Sequence, residues 1–180
     1  MHFYIFIFMC LSSRFSNGYL FDIYPLNQSK NLTNKALLEL KNIYEKNKQS
    51  DEGMNYEEFE KLAKPFVFLK SMRDCNINEL FTNEVKENEY MKYDQFEKQA
   101  TTFVKIIEAD ILNIYINSLN KSCKMTLDEL RTELNIYLDL NIDNAKLNAK
   151  LNAEYEINNT QDIDFEEFRT IFVSIFKSNN

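Results

Sequence analysis

Four short segments of this 180-residue chain share one spacing, and that repetition constrains the fold more than any other feature. They read Met54-Asn55-Tyr56-Glu57-Glu58-Phe59, Met91-Lys92-Tyr93-Asp94-Gln95-Phe96, Met125-Thr126-Leu127-Asp128-Glu129-Leu130 and Ile163-Asp164-Phe165-Glu166-Glu167-Phe168. From the aromatic or Leu in each, apolar residues follow at +3, +7 and +10: Tyr56/Phe59/Ala63/Phe66, Tyr93/Phe96/Ala100/Phe103, Leu127/Leu130/Leu134/Tyr137 and Phe165/Phe168/Phe172/Ile175. Steps of three and four put these side chains along one stripe of an α-helix and the acidic pair on the solvated side. The residue two places before each stripe is apolar as well: Met54, Met91, Met125 and Ile163.

A polar stretch lies upstream of each stripe, such as 46–52 or 157–162, and before it comes a further helical pattern. Those patterns are Leu37/Leu40/Tyr44, Leu69/Met72/Leu80, Ile107/Ile111/Ile114 and Leu147/Leu151/Tyr155. The unit is therefore helix, loop, one apolar residue, helix. The repeats advance by 37, 34 and 38 residues, and no Gly or Pro interrupts Tyr93 to Tyr115, so one long helix is expected to join the two halves. Two glycines and two prolines in the whole chain leave little material for hairpins or phosphate-cradling loops, and an all-α fold follows.

This arrangement resembles the four-repeat EF-hand proteins of the calmodulin and troponin C type, from about Leu37 to Ile175, with Asp164-Phe165-Glu166-Glu167-Phe168 its most specific piece. The resemblance implies two paired lobes, one over 35–104 and one over 105–180. It further implies that Met54, Met91, Met125 and Ile163 form short β-bridges between paired loops. The other reading is an unrelated helical bundle in which acidic residues start helices because they suit a first turn.

An EF-hand loop needs oxygen ligands at positions 1, 3, 5, 7 and 9, a bidentate Glu at 12 and a Gly at 6. Alignment on position 12 places Glu58, Gln95, Glu129 and Glu167 there, and Glu52, Glu89, Cys123 and Gln161 at position 6. None of the latter is Gly, and each would be strained in a left-handed turn. Lys86 at position 3 and Gln95 at position 12 disable the second loop. The third offers only neutral oxygens from Ser118, Asn120 and Ser122 ahead of Glu129. The phase of the first entering helix has its loop starting near Glu45, two residues too long, with Asp51, Asn55 and Glu58 as weaker ligands. The fourth loop is the best candidate for low-affinity Ca²⁺, through Glu156, Asn158, Thr160, Asp162, Asp164 and Glu167.

Residues 1–18 read as a signal peptide: an apolar run over Met1 to Leu11, then small residues at Ser16 and Gly18 before a cleavage point ahead of Tyr19. A buried N-terminal helix or strand is the other reading; the run falls short of the roughly 20 residues of a membrane span. Residues 19–34 read as a polar lead-in. Secretion is thus expected, with no stable membrane anchor after cleavage. Cleavage would remove His2 and Cys10, leaving Cys75 and Cys123 as one disulfide or two buried thiols. Glycosylation sequons stand at Asn27, Asn31, Asn120 and Asn158.

A net charge of −7 disfavours nucleic acid as partner. The mature chain would lack histidine, and the acidic pairs Glu57/Glu58 and Glu166/Glu167 diverge by about 100° on a helix, so catalysis is not expected. The expectation is a binding role: a Met- and Phe-lined groove for a protein partner such as an amphipathic or basic helix. Low-affinity calcium binding is the alternative.

Overall fold

The computed structural model describes residues 19–86, 89–119, 124–138, 149, 151–153 and 162–179. These residues are mostly helical, with isolated bridges and no strand among them. No described helix is long and apolar enough to cross a membrane. The leader 1–18, Asn120, Cys123 and the fourth-loop residues Glu156, Asn158 and Thr160 lie outside the described residues.

Helix α1 spans Asn34–Asn47 and starts where Thr33 Oγ1 accepts the Ala36 N–H at 3.2 Å. It buries Ala36, Leu40 and Tyr44. Its phase carries on through Asn47, because Lys48 N–H closes a last turn on Tyr44 O at 2.8 Å and Asn47 Nδ2 folds back on Ile43 O at 2.7 Å. The first loop therefore starts after Asn47, and the two extra residues expected from Glu45 onwards belong to the helix.

Helix α2 (Tyr56–Ala63) begins at the Asn55 cap. Pro65 has no N–H for the next helical bond, so the chain tightens into a 3₁₀ turn, Lys64–Phe66, that still buries Phe66. The pattern Leu69/Met72/Leu80 is split into α3 (Lys70–Arg73) and α4 (Ile77–Thr82). Asn76 restarts the second piece by accepting the Glu79 N–H at 3.1 Å, the local competition with helix interiors for which Asn is suited. Ser71 holds α3 against the next helix, its N–H and Oγ both bonding the buried Asp110 carboxylate at 2.9 and 2.7 Å.

Helix α5 runs unbroken from Tyr93 to Ser118, about 39 Å at 1.5 Å per residue. Helices α6 (Leu127–Leu138) and α7 (Phe165–Asn179) follow. The long helix does not hold two halves apart. Packing of α5 against α1, α3 and α7 creates one continuous core, and aromatic side chains cross between the halves. Phe66 stacks on Phe176 at 5.3 Å, and Phe68 meets Phe172 and Phe176 at 6.3 and 5.5 Å. A division at 104/105 cuts α5 between buried Val104 and Ile107.

The residues two places before each stripe meet in pairs. Met54 bridges Met91 antiparallel through N–H···O bonds of 3.0 and 2.8 Å, and Met125 bridges Ile163 through bonds of 2.9 and 2.8 Å. All four are fully buried. Each bridge carries the same clamp. Tyr44 donates its hydroxyl to Met91 O at 3.1 Å and Tyr115 donates to Ile163 O at 3.1 Å. Tyr44 packs against Tyr93 and Phe96 at 5.5 and 5.4 Å, and Tyr115 against Phe165 and Phe168 at 5.6 Å each. The two bridges thus repeat one another in side-chain geometry.

The lead-in is not simply polar: Leu32 is buried and Leu26 packs against the core. Tyr19, Leu20 and Phe21 are buried, with Tyr19 among Phe66, Phe96 and Phe103.

Candidate functional site

The loop ligand positions are where the sequence locates chemistry, and most of the described ones are engaged by the protein itself. In the first loop Asn55 serves as a cap: its Oδ1 accepts the Glu58 N–H at 3.0 Å while its Nδ2 bonds Gln49 Oε1 at 2.7 Å. The Glu58 carboxylate takes the Lys61 ammonium at 2.6 Å, and that bond raises the Lys61 pKa. Asp51 is exposed. The sharp turn is made one place later than in the expected pattern, by Gly53 at φ +133°. A Cβ there would stand 2.4 Å from Met91 O, so the glycine allows the two loops to approach. From the neighbouring loop, Lys92 Nζ bonds Glu52 O.

In the second loop, position 1 and position 12 meet directly. Gln95 Nε2 donates to Glu84 O at 2.6 Å, and its Oε1 accepts the Lys92 N–H at 2.8 Å. The Glu84 carboxylate binds the Lys98 ammonium and the Gln99 amide, the latter at 3.0 Å. A neutral amide and an ammonium thus stand where a bidentate carboxylate and a cation would be needed. Glu129 in the third repeat accepts from Thr126 N and Oγ1 at 2.7 and 2.9 Å. In the fourth, Asp164 and Glu167 form a reciprocal box: Asp164 N–H to Glu167 Oε2 at 2.9 Å, Glu167 N–H to Asp164 Oδ1 at 3.0 Å. Asp162, Asp164 and Glu167 are all exposed. Among the described residues, no three His, Cys, Asp or Glu side chains gather as metal ligands would.

Cys75 is a half-buried free thiol whose pKa is raised, by burial first and then by Glu79, so it stays protonated at neutral pH. Asn27 and Asn31 lie exposed in the loop before α1, Asn27 Oδ1 accepting from the Ser29 and Asn31 N–H groups at 2.9 and 3.0 Å.

Two features escape the sequence reading. One is the Tyr44/Tyr115 clamp, whose signal was present: each Tyr stands ten residues before the bridging Met54 or Met125. The other is a buried ion pair. Arg169 on α7 grips Glu108 on α5 through Nε at 2.8 Å and Nη2 at 2.6 Å, with side chains 4% and 1% exposed. Its Nη2 also donates to Phe21 O at 3.0 Å, and its guanidinium lies 5.4 Å from the Tyr24 ring centre. Nothing in spacing could pair residues 61 apart.

In comparisons with known proteins, no family model, no curated protein and no solved structure matches the chain.

Proposed function

We propose that this chain is a secreted, EF-hand-like protein-interaction module in which calcium has been replaced by the protein's own donors. The observation that carries the reading is the second loop, where Gln95 reaches Glu84 O and Lys98 neutralises the Glu84 carboxylate. A loop closed in this way keeps its shape with no ion to regulate it. The EF-hand relation is supported by the two antiparallel bridges, the matching tyrosine clamps and the helix-loop-helix order, which together are hard to obtain from an unrelated bundle.

Low-affinity calcium binding by the fourth loop is the second reading, favoured by exposed Asp162, Asp164 and Glu167. Calorimetric titration of Ca²⁺ to a few millimolar, the range of extracellular modules, separates the two. Under the first reading no saturable heat is released. Saturable heat that vanishes in Glu167→Gln would instead assign the protein to the second.

A further inference from the structure

Residues Tyr19 to Asp22 belong to no helix or strand, yet Tyr19, Leu20 and Phe21 are at most 3% exposed. Among the described residues the segment's one backbone hydrogen bond is Phe21 O accepting from Arg169. It is therefore held side chain first, as a bound peptide is, and not by a ladder. The Tyr19 ring sits 5.1–6.4 Å from Phe66, Phe96 and Phe103. Beyond Phe21, the exposed Asp22 carboxylate pairs with Lys177 at 2.6 Å. The seat reads, in order, an aromatic ring, a leucine, a second aromatic whose carbonyl meets a guanidinium, and an acid that meets an ammonium.

The Tyr19 hydroxyl is the informative flaw. It is buried and has no hydrogen-bond partner among the described residues, so as a permanent core filler Tyr19 is inferior to phenylalanine. A hydroxyl suits a ring that also spends time in water. Arg169 is already neutralised by Glu108 and offers the segment a donor to its carbonyl, so it is the Lys177 ammonium at the far end that selects against a basic segment and for one carrying an acid.

We propose that this seat is an exchangeable binding site: residues 19–22 occupy it in the resting chain, and an extended partner segment of the order aromatic–Leu–aromatic–acidic displaces them. The inference rests on the interaction-module reading and names the partner's chemistry, which is acidic and extended rather than a basic helix. Occupation in cis lowers apparent affinity by the fraction of time the seat is open.

A fluorescein-labelled peptide with the sequence of residues 19–24 is titrated into the full chain and into its Phe21→Ala variant, with circular dichroism to verify folding and anisotropy to read binding. The variant is expected to bind at least about tenfold more tightly than the parent, and a peptide carrying Asp22→Lys to lose about tenfold. Lys177→Glu should restore the Lys-bearing peptide. A folded variant that binds no better than the parent, or indifference to the Asp22→Lys change, overturns the proposal. A second measurement on the otherwise intact chain guards against misfolding: a Leu20→Cys thiol is labelled in increasing urea and read by mass spectrometry of its peptide. Labelling independent of urea shows the segment opening alone, whereas labelling with the full slope of global unfolding overturns the idea. None of these readings depends on calcium, so a heat of Ca²⁺ binding would unseat the module reading without touching this test.

Discussion

Arg169 is the residue whose removal should be felt most sharply. Arg169→Met keeps most of the side-chain volume but leaves the Glu108 carboxylate, 1% exposed, with no counter-charge and Phe21 O with no donor. Breaking one partner of a buried pair typically costs about 3–5 kcal/mol. Glu108→Leu should do the same by stranding the guanidinium. The double variant Arg169→Met/Glu108→Leu strands no charge and loses only the donor to Phe21 O, worth about 1–3 kcal/mol when a buried acceptor is left unpaired. The double change should thus be milder than either single one. Urea unfolding followed by far-ultraviolet circular dichroism reads this directly. With a slope of about 2 kcal/mol per molar, the single variants should lower the midpoint by roughly 1.5–2.5 M. Single variants costing under about 1 kcal/mol, or a double variant costing the sum of the two, would refute the reasoning.

Three further changes test other joints. Gly53→Ala forces a Cβ at φ +133° to within 2.4 Å of Met91 O, so it should destabilise by at least about 1–3 kcal/mol in the same urea assay. Tyr44→Phe and Tyr115→Phe each remove one hydroxyl donor from a bridge carbonyl that keeps its backbone bond, and should cost similar amounts, about 0.5–1.5 kcal/mol each. Tyr19→Phe removes an unpartnered buried hydroxyl and should stabilise the fold by about 1 kcal/mol at neutral pH. Burial holds the Tyr19 phenol protonated well above its ordinary value of 10. Its contribution is therefore complete below pH 10 and is lost as pH rises further, so Tyr19→Phe should delay alkaline unfolding in a pH-stepped melt.

Helix content and the four exit stripes were legible because a 3.6-residue period is local information; Phe59, Phe96, Leu130 and Phe168 are buried where that period puts them. Boundaries were less so. The helix ending at Asn47 and the break at Asp74-Cys75-Asn76 depend on which cap or side-chain bond wins locally, a contest of a kcal/mol or so. The burial of Tyr19, Leu20 and Phe21 was illegible because three apolar residues are too few to carry a period. Of the residues that spacing assigns to position 12, Glu58 bonds Lys61 and Gln95 bonds Glu84, since spacing proposes a ligand position and cannot say which donor fills it.

The Phe21–Arg169 and Asp22–Lys177 contacts join residues 148 and 155 apart in sequence. A ribosome adding about 5–20 residues per second takes roughly 7–30 s to travel from the first partner to the second. For that interval the segment Tyr19 to Asp22 has no fastening at its far end. The order of synthesis and the order of closure therefore run opposite to each other. A chain released at any point before Arg169 is made would leave the Phe21 carbonyl without that donor.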